Sequence, residues 1–292
     1  MAFPSPPPVP SCYRHADREG GRNCTRCGRP ACGDCLVQAT VGSHCLDCAK
    51  ASQPDIRTRV RHANARVLTP ATYALIGINL LVFAAMVLAD ASTLGGGSIT
   101  TAHAELGLSR DILQNGLRFT DGSTGDAHQW YRLVTAGFIH FGVFHILMNM
   151  LLLYQLGMLL ERELGSLRFS LLYVASLLTG SLGVLLVEPF ALSGGASGAV
   201  FGLMAAAAVG LHRRGVNVFS TGIGTTLILN LVLTFTISGI SIGGHVGGAL
   251  GGAACGWVMM APRWKPTAEW ARWAMPALLA AAAVIASVVV VG

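Results

Sequence analysis

The sequence predicts an all-α membrane protein with several membrane-spanning helices, preceded by a small cysteine-rich domain. The 292-residue chain is 52% hydrophobic and only 12% charged, a composition outside the range of soluble globular domains. Segments of about 20 apolar residues follow one another from Ala71 to the C-terminus, and a membrane helix needs roughly that number to cross a hydrocarbon core of about 30 Å. Seven of the eight cysteines precede these segments, between Cys12 and Cys48.

The net charge of +6 does not indicate a nucleic-acid partner. The basic residues flank the apolar segments and do not form one stripe with interleaved aromatic residues, so no nucleic acid is expected. Lys50 and Lys265 are the only lysines, and Ala and Gly are abundant, a bias typical of a GC-rich bacterial genome. No secretory signal peptide is predicted, because residues 1–50 are rich in Pro and Cys.

Residues 1–50 have the ligand spacing of a zinc-binding domain. Two intervening residues allow a tight turn to direct two side chains at one ion. Four such pairs give eight ligands, enough for two structural Zn²⁺ ions, and with few apolar residues the metal would supply most of the folding free energy. The pairs are Cys12 with His15, Cys24 with Cys27, Cys32 with Cys35, and Cys45 with Cys48.

Alternate pairing of these ligands is the arrangement we expect. It predicts one site from the first and third pairs and a second site from the other two, with His44 as an alternative to Cys45. Disulfides are the competing interpretation, but seven cysteines leave one unpaired, and an accompanying histidine favours zinc. The spacing resembles B-box-type zinc fingers, which implies a protein partner for this head. Reduced cysteines place it in the cytoplasm.

A basic linker at 51–70 leads to seven candidate membrane spans. With the N-terminus in the cytoplasm, eleven basic residues flank the inner ends of the spans and only three lie in the long outer loop at 90–142. This asymmetry agrees with the positive-inside rule and places the C-terminus outside a plasma membrane. The spans are 71–89, 143–161, 168–188, 198–212, 222–239, 243–261 and 274–291.

Polar side chains within these spans indicate a functional site. A polar group at membrane depth costs a few kcal/mol and by default marks function. Ser197 and His245 begin two spans that run in the same direction, so both lie toward the outer face. Glycines at four-residue intervals, including Gly198 and Gly248, would let these two helices approach closely. A simple packing seam is the alternative interpretation for Ser197, but it does not account for the histidine on the facing helix.

Four motifs in combination resemble the rhomboid family of intramembrane serine proteases. They are Tyr131-Arg132, His140-x4-His145-x3-Asn149, Gly195-Ala196-Ser197-Gly198 and His245-x2-Gly248-x3-Gly252. The resemblance covers about residues 70–261 and implies a six-helix core at 71–261. Residues 262–292 would then add a cytoplasmic connection and a seventh transmembrane helix.

The resemblance also implies roles for individual residues. Ser197 would be the nucleophile and His245 the general base, while His145 and Asn149 would line the oxyanion hole with the Ser197 backbone N–H. Arg132 and His140 match family positions with a structural role, and Phe201 matches an aromatic residue that packs on the catalytic histidine. The family's usual Trp-Arg is Tyr131-Arg132 in this chain, which affects loop packing and leaves the catalytic groups unchanged.

A Ser–His dyad is physically reasonable here. The spans that carry the two residues contain no Asp or Glu, and a buried charge in lipid would be costly. The expected function is hydrolysis of peptide bonds in transmembrane protein substrates, with the lipid bilayer as surroundings and no catalytic cofactor. The alternatives are a non-catalytic rhomboid-like protein that binds membrane clients, and a membrane scaffold whose zinc head is the functional part.

Overall fold

The chain divides into two compact units, Met1–Val67 and Leu68–Gly292. The computed structural model describes residues 9–39, 42–51, 69–118, 122–262 and 264–292. The predicted basic linker at 51–70 lies almost entirely outside the described residues.

The first unit is built on two short antiparallel hairpins followed by a helix. Arg22–Asn23 pairs with Pro30–Ala31, and Leu36–Gln38 pairs with Ser43–Cys45 so that Leu36 lies opposite Cys45. The buried apolar cluster consists of Ala31 and three cysteines, so the unit has almost no hydrocarbon core. Its described elements are β1 (Arg22–Asn23), β2 (Pro30–Ala31), β3 (Leu36–Gln38), β4 (Ser43–Cys45) and α1 (Leu46–Ala51).

The second unit is mostly helical, and a helix forms at each of the seven predicted apolar segments. Three shorter helices lie in the long connection between the first two of them. In chain order the helices are α2 (Pro70–Ala89), α3 (Thr101–Leu106), α4 (Arg110–Asn115), α5 (Arg132–Thr135), α6 (Val143–Leu164), α7 (Ser166–Val187), α8 (Ser197–Arg213), α9 (Ile223–Thr236), α10 (Ile242–Met259) and α11 (Glu269–Val291).

Four of these helices, α2, α6, α7 and α11, are long and apolar enough to cross a membrane, which makes this a multi-pass membrane protein. The shorter α9 is apolar but has 14 residues, or about 21 Å at 1.5 Å each. The helices with the candidate serine and histidine, α8 and α10, have 17 and 18 residues and contain many glycines and alanines. Membrane crossing by α8, α9 and α10 therefore stays a prediction.

Contacts between helix ends fix the direction of α11. Arg168, near the start of α7, forms an ion pair with Glu269 at the start of α11. At the other end of α11, the Val291 carbonyl accepts a hydrogen bond of 2.7 Å from the side chain of Gln114 in α4. The C-terminus of the chain therefore lies on the same side of the bundle as the long connection between α2 and α6.

A buried carboxylate joins the start of α2 to the end of α6. Glu161, 3% exposed, accepts hydrogen bonds from the backbone N–H groups of Ala71 at 2.9 Å and Thr72 at 2.8 Å. It also accepts bonds from the hydroxyls of Thr72 and Ser166. The first N–H groups of a helix have no hydrogen-bond acceptor inside that helix. At the start of α2 the carboxylate of Glu161 is their acceptor, in a position where the helix dipole favours negative charge.

The backbones of α8 and α10 are in direct contact through glycines. A methyl group added at Gly248 would lie 2.0 Å from the carbonyl oxygen of Gly198, and one added at Gly252 would lie 2.0 Å from that of Gly202. Any side chain at these positions would force the helices apart. The contact places Ser197, at the start of α8, beside the first turns of α10.

We expect Gly252→Ala to destabilise the second unit by about 1–3 kcal/mol, the usual cost of overpacking, because the group it would strike is backbone. Gly77→Ala in α2 is the matched control, since nothing lies within 4 Å of a methyl group added there. Reversible unfolding in mixed micelles measures both variants. Equal stability of the two would contradict the close approach of α8 and α10.

Candidate active site and metal centres

Ser197 and His245 lie within hydrogen-bond distance at the starts of α8 and α10. Ser197 Oγ and His245 Nε2 are 2.7 Å apart. His245 is 8% exposed, whereas Ser197 is partly exposed. Phe201, one turn after Ser197, stacks on the imidazole of His245 with ring centroids 4.1 Å apart and planes at 17°. The structure thus brings together the serine, the histidine and the aromatic ring that the sequence separates by up to 48 residues.

The space in front of Ser197 is shared with His145. A methyl group added at Gly195 would lie 2.8 Å from His145 Nε2 and 3.7 Å from Ser197 Oγ, so both groups face one small volume. The Phe141 backbone N–H donates to His145 Nδ1 at 3.3 Å. Since Nδ1 is therefore the acceptor, the proton of the neutral ring is on Nε2. His145 can donate this proton to an oxygen in front of Ser197.

Asn149 lies one turn further along α6 and is positioned differently. Its side-chain Nδ2 donates to the His145 carbonyl at 2.9 Å, and the residue is 6% exposed. A primary amide carries two N–H groups, so one is used within the helix and one is left for another acceptor. The four-residue spacing predicts the shared helix face, but in this arrangement Asn149 bonds to its own helix.

His140 and Arg132 contact the backbone around the site. The Ala196 N–H, directly before Ser197, donates to His140 Nε2 at 3.5 Å. The guanidinium of Arg132, a residue 1% exposed, donates to the carbonyls of Ala104 and Gly107, both at 2.7 Å. These contacts order the long connection and the turn before α8.

Two polar contacts near His245 involve residues that sequence reasoning missed. Thr234 Oγ1 of α9 lies 2.7 Å from His245 Nδ1, the ring nitrogen that does not face the serine. Glu188, at the end of α7, accepts hydrogen bonds from the Ile242 N–H at 2.6 Å and from the Ser241 hydroxyl at 2.5 Å, at the start of α10. A threonine in an apolar helix resembles ordinary packing, and a glutamate at the end of a span resembles an interfacial charge. Neither gives a distinctive signal.

The first unit gathers its predicted ligands into two groups of four. Within each group the ligand atoms all lie within 4.8 Å of one another. The grouping follows the predicted alternate pairs and contains Cys45, whereas His44 is not part of it. All eight cysteines are unbridged in the structure. The groups are Cys12, His15, Cys32, Cys35 and Cys24, Cys27, Cys45, Cys48.

The distances within the groups fit a tetrahedral zinc ion. Bonds of about 2.3 Å to sulfur and about 2.0 Å to nitrogen imply roughly 3.6 Å between sulfur and nitrogen and roughly 3.8 Å between sulfurs. His15 Nδ1 lies 3.4 Å from Cys35 Sγ and 3.5 Å from Cys32 Sγ. In the other group, Cys27 Sγ lies 3.7 Å from Cys45 Sγ. Either group could hold a metal ion with little rearrangement.

The thiols within each group differ in pKa. Burial raises the pKa of Cys12 and Cys24, but backbone N–H groups directed at each sulfur outweigh it and lower both pKa values to about 6. Burial and neighbouring thiols raise the pKa of Cys35 to about 11, and hydrogen bonds with Cys27 and Cys45 contribute to a pKa of about 12 for Cys48. A bound cation favours the ionised form of all of them.

The chain resembles known proteins over part of its length. The chain is 36% identical to rhomboid protease GluP of Bacillus subtilis over 115 residues, which are 38% of this chain and 22% of that protein. It is 48% identical to RHOMBOID-like protein 1 of Arabidopsis thaliana over 79 residues, 27% and 20% of the two chains. It is 36% identical to Rhomboid-like protease 3 of Toxoplasma gondii over 76 residues, 26% and 29% of the two chains.

The chain thus spans between a fifth and a third of the length of these relatives. A match to the family described as the Rhomboid domain extends over residues 127–262, a range that contains the residues Ser197, His245, His145 and Asn149. Residues 127–262 of this chain are therefore similar to the Rhomboid domain.

Proposed function

We propose that this protein is an intramembrane serine endopeptidase that hydrolyses peptide bonds in or near transmembrane segments of membrane proteins. The observation that carries the proposal is the 2.7 Å separation of Ser197 Oγ and His245 Nε2 in a multi-pass helical bundle. The match of residues 127–262 to the Rhomboid domain and the relatives named as rhomboid proteases support it.

The geometry suits acyl transfer. As Ser197 Oγ attacks the scissile carbonyl, its proton passes to Nε2 of His245, which then gives it to the leaving amine. The negative oxygen would lie in front of Gly195, where it meets Nε2–H of His145 and the free N–H groups of the first turn of α8. The second N–H of Asn149 would add a donor. Water then attacks the acyl-enzyme, and His245 again takes and returns the proton.

The proposal includes an orientation in a bacterial plasma membrane. All seven helices that form at the predicted spans would cross this membrane. The eleven-to-three distribution of basic residues favours an N-terminus in the cytoplasm and a C-terminus outside. The Ser197–His245 pair would then open toward the outer face, and substrates would be cut near their outer ends. The reaction needs no catalytic cofactor, and no nucleic-acid partner is proposed.

We also propose that residues 1–50 bind two structural zinc ions. The sulfur and nitrogen distances given above support this metal, and the small apolar cluster of the unit leaves its folding dependent on it. The B-box-like spacing favours a protein partner for the head.

We expect Ser197→Ala and His245→Ala each to abolish cleavage of a single-span substrate reconstituted in liposomes, because each removes one half of the dyad. Asn149→Ala should slow cleavage by less than the roughly 10²–10³-fold loss seen when a soluble protease loses an oxyanion donor. Deletion of residues 1–50 should leave hydrolysis intact. Mass spectrometry of the products locates the cut.

Two outcomes would contradict the proposed serine protease function. Equal rates for wild type and Ser197→Ala would exclude the serine mechanism, provided that the two unfold at the same denaturant concentration. If wild type cleaves nothing across a broad panel of substrates, the result favours the client-binding alternative.

We expect the purified full-length protein to carry two equivalents of zinc, one for each group of ligands. Cys32→Ser should lower the content to one equivalent, and Cys255→Ser, which changes a buried cysteine of α10, is the matched control. Elemental analysis measures the content. Less than one equivalent in protein purified without chelators, or oxidised thiols in the native cell, would reject the zinc sites.

A further inference from the structure

Thr234 is the buried polar contact that α9 makes with the candidate dyad. In α9 only Gly224 and Thr234 are buried, and Thr234 is 2% exposed. Its hydroxyl oxygen lies 2.7 Å from His245 Nδ1 and 2.7 Å from the carbonyl oxygen of Asn230, one turn earlier in the same helix. A helix whose other residues, apart from Gly224, are exposed or only partly buried therefore directs one polar group at the histidine.

The donors and acceptors around Thr234 fix the position of the imidazole proton. A threonine hydroxyl has one proton and two lone pairs. The carbonyl of Asn230 can only accept, so it receives the hydroxyl proton, and a lone pair of Thr234 faces Nδ1. His245 must then carry its proton on Nδ1, which leaves Nε2 unprotonated toward Ser197. Only this tautomer can accept the serine proton.

We propose that Thr234 is a positioning residue that holds His245 in its reactive tautomer, in the place that a carboxylate occupies in a Ser–His–Asp triad. The inference rests on the proposed serine protease function. A carboxylate would orient the ring more strongly, but it would bring a buried charge into the membrane. A neutral hydroxyl whose own proton is committed to a backbone carbonyl fixes the tautomer without that charge.

The alternative tautomer shows why the hydroxyl matters. Without it, the proton on Nδ1 would be buried without an acceptor, which is costly. The proton would then favour Nε2, where the hydroxyl oxygen of Ser197 can accept it. In that state the imidazole donates to the serine and cannot remove its proton, although the ring remains in place.

Three variants of the full-length protein test the role. Thr234→Val keeps the shape and removes the hydroxyl, and Thr234→Ser restores a hydroxyl. Thr236→Val is the matched control, since Thr236 is exposed on the same helix and donates to the Val232 carbonyl within it. Imidazole ¹⁵N NMR reads the tautomer of His245, whose signals are assigned by their absence from His245→Ala. Cleavage of a reconstituted substrate gives kcat and KM.

We expect a protonated Nδ1 in the wild type and a shift of the proton toward Nε2 in Thr234→Val. In the same variant, kcat should fall by about 10- to 100-fold with little change in KM, because the free-energy cost of an unsatisfied buried donor corresponds to a rate factor of that size. Thr234→Ser should recover most of the rate. Thr236→Val should match the wild type in both measurements.

The outcomes separate this inference from the protease itself. Cleavage that does not depend on Ser197 would reject the proposed serine protease function. The NMR spectrum would still report the tautomer of His245. If cleavage depends on Ser197 but Thr234→Val matches Thr236→Val in kcat and in ¹⁵N shifts, the inference alone is wrong. If Thr234→Val does not fold, the wild-type spectrum decides, since an unprotonated Nδ1 overturns the inference and a protonated one supports it.

Discussion

The site depends on the contact between the backbones of α8 and α10. In a bilayer, lipid tails are as apolar as leucine, so helices gain little from burying large side chains and associate instead through close packing. The contacts of Gly248 with Gly198 and of Gly252 with Gly202 leave no room for a side chain. This separation sets the 2.7 Å distance between Ser197 and His245. The glycines are thus as necessary to the arrangement as the polar residues.

A second constraint acts on polar groups in the bundle, because a buried polar group without a partner is costly where water is scarce. The carboxylates of Glu161 and Glu188 lie at the starts of α2 and α10, where unpaired N–H groups and the helix dipole favour them. The imidazole of His245 instead has a hydroxyl partner. These two carboxylates therefore bind to the ends of helices, whereas the partner of His245 in the dyad's surroundings is a neutral hydroxyl.

Sequence patterns were sufficient for the features that follow from spacing or apolar length. The positions of the long helices, the shared face of His145 and Asn149, and the alternate pairing in the head are of this kind. The partners of individual polar atoms could not be predicted. That Thr234 faces His245 depends on the rotation of α9, and that Asn149 donates to its own helix depends on one side-chain torsion. The composition of an apolar helix determines neither of these, because it is compatible with many rotations of the helix about its axis and with several side-chain torsions.

The two units meet the same difficulty in different ways. The head is too short to bury a hydrocarbon core, and the bundle lies where burial of apolar groups brings little free energy. In the head, metal coordination by the two groups of ligands would compensate, as proposed above. In the bundle, close glycine contacts and hydrogen bonds such as those of Glu161 compensate. If the head binds zinc as proposed, chelators and thiol oxidants would unfold it and would leave the bundle folded. The bundle is sensitive to single methyl groups, which the surface of the head would tolerate.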